Sequence, residues 1–161
     1  MPDRAERARF IADLHAEASA FGDFLALLRE EARALEARDI DGVVQIAAAK
    51  TQRVATLNAF ASRRTHYLSA LGLPTDREGM LRWLETESGA ERATLAAAWR
   101  ALLDTAREAQ SLNRANGLLI EARLQTNQRL LAAMGSAPQP TLYGPDGQSH
   151  TGGPARTLGS A

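Results

Sequence analysis

Residues 3–38 read DRAERARFIADLHAEASAFGDFLALLREEARALEAR, a stretch without proline and with a single glycine, Gly22. Apolar residues recur in it at alternating steps of three and four, which is the a/d spacing of a heptad repeat. The members of this row are Ile11, Leu14, Ala18, Phe21, Leu25, Leu28, Ala32 and Leu35. Because the period is 3.5 rather than 3.6 residues, the stretch predicts a long helix that winds left-handedly around a partner helix.

A reversal of the chain is predicted at residues 38–42, RDIDG, where Asp39 or Asp41 can accept hydrogen bonds from the free amides of a second helix. Two rows repeat every seven residues in that helix: Ile40, Ala47, Val54, Ala61 and Leu68, and beside them Val43, Leu57 and Leu71. Lys50 and Arg64 interrupt the second row, so we expect this helix to pack less firmly than the first. Gly72 and Pro74 predict its end.

Two capping boxes follow, Thr75-x-x-Glu78 and Ser88-x-x-Glu91, each of which predicts a helix start. The first opens a short helix that carries Met80, Leu81 and Leu84. The second opens a long helix that ends near Gly135, with a predicted seam of Leu95, Trp99, Leu102, Ala106, Ile120 and Met134.

Three asparagines occupy seam positions in this last helix, Asn113, Asn116 and Asn127, and Gly117 lies inside it. A buried asparagine at such a position commonly fixes the register of a coiled coil. Three of them beside a glycine also fit a partly polar groove that receives an amphipathic helix of another protein. Both interpretations remain open from the residues alone.

The composition changes after Gly135, because four of the six prolines and five of the twelve glycines lie in residues 136–161. Such a segment buries too little apolar surface to offset its ordering entropy. We therefore expect a helical bundle domain over residues 1–135 and a disordered tail over residues 136–161, with Thr141-Leu142-Tyr143 as a short recognition motif. The predicted fold is all-α: an elongated antiparallel bundle or coiled coil of three long helices with a short connecting helix.

The composition of the chain limits the kinds of partner that it can bind. Lys plus Arg and Asp plus Glu both number 19, so no positive excess attracts nucleic acid. Cysteine is absent, and no apolar run reaches the roughly 18 residues of a membrane span. We expect a cytoplasmic protein with protein partners, no nucleic acid and no membrane insertion.

No catalytic constellation is found in the sequence. His15, His66 and His150 lie on three separate segments, and Glu-x-x-His pairs of the kind that hold metals in helical bundles are missing. The match of His15-Ala16-Glu17 to a zinc deaminase motif lacks the cysteine ligands that such a site needs. We expect a non-enzyme without cofactor or metal.

Two motifs resemble those of the FlgN family of flagellar export chaperones. Residues 112–121, LNRANGLLIE, followed by Asn127-Gln128, are similar to the family's LNxxNGxLLE and NQ pattern. Residues 141–148, TLYGPDGQ, are similar to its TLYGxDGQ tail motif. The order and length of the helices agree, so the resemblance covers nearly the whole chain.

The resemblance implies a cytoplasmic chaperone of the flagellar type III export system. Such a protein binds the C-terminal amphipathic helices of the hook-filament junction (hook-associated) proteins and delivers them to the export gate. The implied cargo-binding residues are Leu112, Asn113, Asn116, Gly117, Leu119, Ile120, Asn127 and Leu131. Leu142, Tyr143 and Gly144 would contact the cytoplasmic domain of the export gate.

An alternative function uses the same heptads for self-association. The chain would then be a structural coiled-coil protein of a secretion apparatus. A homodimer is compatible with either function.

Overall fold

The computed structural model describes residues 3–135, which form four helices and no strand. They are α1 (Arg4–Ala37), α2 (Ile40–Ala70), α3 (Arg77–Thr86) and α4 (Gly89–Gly135). The predicted all-α bundle with a short helix is therefore confirmed. The chain divides into two compact units, residues 1–122 and 123–161, which are described separately below. The predicted tail, residues 136–161, lies outside the described residues.

Side-chain caps define the starts of α1 and α2. The Asp3 carboxylate accepts from the Glu6 amide at 2.8 Å, and the Glu6 carboxylate accepts from the Asp3 amide at 2.9 Å. This reciprocal pair is a capping box. Arg38 ends α1 in the left-handed conformation with φ of 59°, and Asp39 then caps α2 by accepting from the Gly42 amide at 2.9 Å. The cap predicted at Asp39 is confirmed, and only two residues separate the helices.

The first unit contains α1, α2, α3 and the part of α4 up to Ala122. Ion pairs between Glu17 and Arg64 and between Glu31 and Lys50 show that α1 and α2 run antiparallel. Early residues of α1 contact early residues of α4, and later residues contact later ones. Phe10 belongs to one core cluster with Leu95, and the Leu28 carbonyl accepts from Asn116. The first and last helices therefore run parallel.

The segment between α2 and α3 depends on two glycines. Gly72 has φ of 69°, as its predicted role at the end of α2 requires. Gly79 is buried, and a Cβ atom there would lie 1.6 Å from the Pro74 carbonyl oxygen, so this position accepts only glycine. The cap of α3 is Asp76 rather than the predicted Thr75. Its carboxylate reaches the amides of residues 78 and 79, at 2.9 Å and 3.2 Å.

α4 begins at Gly89, which has φ of 61°. The predicted capping residue Ser88 contributes its backbone carbonyl, which accepts from the Arg92 amide at 3.4 Å. Nearby, Arg7 of α1 bonds Glu87, and its Nη2 lies 3.0 Å from Glu91. The hydrogen bond to Glu87 raises the pKa of Arg7 above its ordinary value. These bonds attach the start of α1 to the junction between α3 and α4.

Two apolar clusters form the core of the first unit. The larger one closes the open end of the α1–α2 hairpin with α3 and the start of α4, and comprises Phe10, Leu14, Leu68, Met80, Trp83, Leu84, Leu95, Trp99 and Leu102. The rings of Phe10 and Tyr67 stack at 4.0 Å, and Trp83 meets Phe10 edge-on at 4.7 Å. The smaller cluster lies midway along α1 and comprises Phe24, Leu25, Leu28, Leu57 and Ala109.

The buried face of α1 is wider than the predicted seam. Besides members of that seam it includes a second seven-residue row, Phe10, Glu17, Phe24 and Glu31. Because α1 packs against both α2 and α4, a stripe broader than a strict a/d row is needed. The heptad argument therefore identified the helix but not the two buried glutamates.

Packing of α2 differs from the sequence prediction. The row that starts at Ile40 was expected to face a partner, yet Ile40 is 71% exposed and Val54 is 41% exposed. The buried residues of α2 are Leu57 and Leu68. Lys50 and Arg64, which were expected to weaken the helix, instead lie in the interface and bind the buried glutamates of α1.

Candidate functional site

The predicted cargo-binding segment in the first unit has one buried and one exposed side. Leu112 is half-buried and packs against the smaller core cluster, and Ile120 is also half-buried. Leu118 and Leu119 are exposed, and a Cβ atom added at Gly117 would meet nothing within 4 Å. This segment of α4 therefore carries exposed aliphatic side chains, with open space beside Gly117.

The described part of the second unit, residues 123–135, is helical and rich in exposed aliphatic side chains. These are Leu124, Leu130, Leu131 and Met134, with exposed fractions from 57% to 74%. Asn127 is also exposed. The sequence predicted a packed seam through Met134, which is wrong for this residue because it is 74% exposed. Exposed leucines at this density are a candidate surface for an apolar partner.

Asn116 lies in the interior instead of on the exposed side. It is 4% exposed, and its Nδ2 donates to the Leu28 carbonyl and to Glu31 Oε2, both at 2.9 Å. Both donor hydrogens of the amide are thus used within the chain. Of the two interpretations drawn from the asparagines, the structure gives Asn116 the internal, register-fixing contact, so this residue is withdrawn from the docking surface.

Lys50 connects Asn113 to the same network. Its Nζ donates to both oxygens of Glu31, at 3.0 Å and 2.9 Å, and to Asn113 Oδ1 at 2.8 Å. Glu31 is 2% exposed and therefore lies beyond the reach of bulk water. Its carboxylate accepts three hydrogen bonds, from α2 and from α4, and these offset the free-energy cost of burying the charge. The network joins the three long helices within the first unit.

A second buried carboxylate, Glu17, lies nearer the open end of the α1–α2 hairpin. Glu17 is 3% exposed and binds Arg64, whose guanidinium also lies 5.3 Å from the centre of the Trp99 ring. The cation is thus shared between a carboxylate of α1 and an aromatic face of α4. Equal spacing in the sequence is the signal for these two ion pairs. The same number of residues separates Glu17 from Glu31 as separates Lys50 from Arg64.

An open cleft of about 590 Å³ lies between the start of α1 and the end of α2. Asp13 and Arg63 line it and bind each other at 2.9 Å, and the Arg63 guanidinium also covers the Phe60 ring at 4.5 Å. Burial raises the pKa of Tyr67, which forms its floor. Asp13 and Arg63 already neutralise each other. This cleft is therefore a weaker candidate for the functional site than the exposed aliphatic residues of α4.

Within residues 3–135, no three His, Asp or Glu side chains converge as a metal site would require. In the same part of the chain, no helix combines the length and hydropathy needed to cross a bilayer.

Comparison with known proteins identifies the family. The sequence model described as FlgN protein matches residues 1–151. The chain belongs to the FlgN family. The FlgN protein of Salmonella typhimurium (strain LT2), named flagella synthesis protein, is 37% identical over 73 residues, which are 42% of this chain and 52% of that protein. The Proteus mirabilis protein of the same name is 34% identical over 98 residues, 58% of this chain and 65% of its own.

A solved structure shares the fold. The crystal structure of a Pseudomonas aeruginosa protein described as a flagella synthesis protein FlgN has 28% identity and a TM-score of 0.62, covering 74% of this chain and 90% of that one. The chain matches only about half of the Salmonella FlgN protein, so the relatives support a role in flagellar synthesis without supplying its details.

The FlgN motif of residues 112–121 is partly buried and partly exposed in this structure. Asn116 of LNRANGLLIE binds inside the first unit, while Leu118 and Leu119 of the same motif are exposed. The predicted gate-binding residues, Leu142, Tyr143 and Gly144, lie outside the described residues. Leu118, Leu124, Leu130 and Met134 were not among the predicted site residues, although their exposure places them on the surface. No signal in the sequence distinguishes them from core residues.

Proposed function

We propose that this FlgN-family chain is a cytoplasmic export chaperone for the hook-filament junction proteins. It binds their C-terminal amphipathic helices and delivers them to the type III export gate. The observation that carries the proposal is the exposed aliphatic surface of α4. An amphipathic client helix loses apolar surface to water when it docks on such leucines.

The chemistry of this surface suits reversible capture. Its apolar residues are leucines and a methionine, which adapt to a client without a fixed polar pattern. Ordering a disordered client helix costs about 2–5 kcal/mol of the contact energy, which limits affinity and permits release. Asn113, Gly117, Leu119, Ile120, Asn127 and Leu131 remain proposed cargo-binding residues, and Leu112 supports them from the core.

Replacing Leu124 and Leu131 by serine should weaken binding of a junction-protein C-terminal peptide by about tenfold or more, because each leucine contributes roughly 1 kcal/mol or more at an apolar contact. Isothermal titration calorimetry with the full chain measures the affinity. Leu81→Ser is the matched control, since Leu81 is a leucine that is 47% exposed on a different helix, α3. Equal affinities for the control and the double variant would remove α4 from the proposal.

The tail residue Tyr143 is proposed to contact the export gate. Tyr143→Ala should leave the affinity for the junction peptide unchanged and weaken binding to the cytoplasmic domain of the gate. Pull-down and calorimetry against each partner separate the two effects. A loss of peptide affinity in this variant would assign Tyr143 to the cargo surface instead.

A structural self-associating protein is the second candidate. It is favoured by the outer side of α2, where Ile40 and Val44 are 71% and 64% exposed. Light scattering of the full chain, alone and with the junction peptide, distinguishes the two. A stable homo-oligomer that ignores the peptide supports self-association, and a chain that binds the peptide one to one supports the chaperone.

A further inference from the structure

The α1–α2 interface alternates between apolar and charged residues with a period of fourteen. Four buried residues of α1 follow one another every seven positions: Phe10, Glu17, Phe24 and Glu31. Leu71, which directly follows α2, and three residues of α2 repeat with the same spacing in the opposite chain direction, the three being Arg64, Leu57 and Lys50.

Each member of the first set shares a layer with the corresponding member of the second. The two glutamates bind Arg64 and Lys50. Phe24 and Leu57 belong to the smaller core cluster, and the half-buried Leu71 packs against the larger cluster, which contains Phe10. Along the hairpin an apolar layer is therefore followed by an ionic layer, twice over.

We infer that this alternation makes α1 select its own α2 and reject other amphipathic helices. A helix with a plain apolar heptad seam satisfies the layers at Phe10 and Phe24 but leaves Glu17 and Glu31 buried without a cation. A copy of α2 displaced by seven residues is rejected as well. In one direction each carboxylate would then face an aliphatic side chain, Leu57 or Val43, and each phenyl ring would face a cation.

The connection between the helices does not perform this selection. Arg38 and Asp39 hold the ends of α1 and α2 together within one chain, but they place no constraint on a helix from another polypeptide. Discrimination against foreign helices must therefore reside in the interface itself. The inference stands without the proposed function; if that function holds, the alternation keeps client helices out of the hairpin.

Asn116 adds α4 to one of the ionic layers. Its amide donates to Glu31 and to the Leu28 carbonyl, so the layer at Glu31 also includes a polar residue of α4. Arg64 extends the other layer to α4 through the Trp99 ring. Both ionic layers are thus enclosed by all three long helices, which explains why Glu17 and Glu31 are buried.

The absence of cysteine allows a thiol cross-linking test in the full chain, with a short bifunctional thiol reagent. Asp13→Cys with Arg63→Cys reports the native register, because the Asp13 carboxylate and the Arg63 guanidinium meet at 2.9 Å across the interface. Asp13→Cys with Thr56→Cys, or with Ala70→Cys, reports a displacement of one heptad. Each pair is placed in the native background and in an apolar-layer variant, Glu17→Leu with Glu31→Leu, Lys50→Leu and Arg64→Leu, and both backgrounds carry a flexible glycine-serine insertion after Arg38 so that the connection permits the displacement.

In the native background we expect the cross-link of the native pair alone. In the apolar-layer variant the displaced pairs should form about tenfold more cross-link than in the native background, since no buried charge opposes the shift. A single Asp13→Cys variant is also mixed with a synthetic heptad peptide that has leucine at every a and d position and one cysteine. The apolar-layer chain should capture this peptide about tenfold more than the native chain.

A second variant guards against misfolding of the first. Glu17→Lys and Glu31→Lys with Lys50→Glu and Arg64→Glu reverse both ionic layers and keep their alternation, so the native cross-link should persist. The inference is overturned by either of two results. One is an apolar-layer chain that folds, keeps only the native cross-link and excludes the peptide; the other is a layer-reversed chain that folds but loses the native cross-link.

Discussion

Replacing Lys50 by methionine should lower the free energy of unfolding by about 3 kcal/mol. The substitution keeps the length and most of the apolar stem of the side chain but removes the ammonium group that binds Glu31. Glu31 is 2% exposed, so its carboxylate would remain buried with only the Asn116 amide as a partner. Urea unfolding followed by circular dichroism measures the change.

Two control variants make this experiment specific. Arg29→Met breaks the ion pair with Glu108, which has a length of 2.6 Å but lies on the surface with both side chains more than half exposed. It should cost less than about 1 kcal/mol. Adding Glu31→Leu to Lys50→Met removes the stranded carboxylate and should recover most of the loss. A Lys50→Met effect no larger than that of Arg29→Met would show that the buried carboxylate needs no cation.

Trp83→Ala should destabilise the first unit by about 4 kcal/mol. Trp83 is 2% exposed on α3, and its ring meets Phe10 of α1 edge-on and lies 6.4 Å from the ring of Tyr67 of α2. One side chain thus joins three helices at the open end of the hairpin. Truncation removes both aromatic contacts and leaves a cavity that the rigid neighbours fill incompletely.

Differential scanning calorimetry measures this loss as a fall in Tm of roughly 8–16 °C for a chain of this size. Leu81→Ala is the matched control, because Leu81 lies on the same short helix but is 47% exposed. Its Tm should stay close to that of the native chain. If the two variants melt together, α3 contributes little to the core and the larger cluster is held by α1, α2 and α4 alone.

Periodicity predicted the helices because it is a property of one segment at a time. The a/d row of α1, the cap at Asp39 and the left-handed Gly72 each depend on neighbouring residues, and the structure contains all three. Identifying the buried face of α1 required knowing that two other helices cover it. Glu17 and Glu31 resemble surface residues until Arg64 and Lys50 are placed opposite them.

The same reason limited the prediction of the site. The resemblance placed Asn116 among the cargo-binding residues, and the residues alone left its register role open, because its partners lie on α1, at Leu28 and Glu31. Exposed leucines such as Leu130 look like core residues in a sequence, since side-chain type does not report exposure. The motif of residues 112–121 resembled that of the family but did not show which of its residues are buried.

The parallel course of α1 and α4 has a consequence for synthesis on the ribosome. The hairpin of α1 and α2 is complete once residue 70 has emerged, but the side of α1 around Leu28 is covered only when Ala109 and Asn116 arrive. At about 5–20 residues per second, translation of that interval takes roughly 2–10 s. For that time the nascent chain carries an uncovered aliphatic stripe, which lengthens the period in which α1 can make non-native apolar contacts.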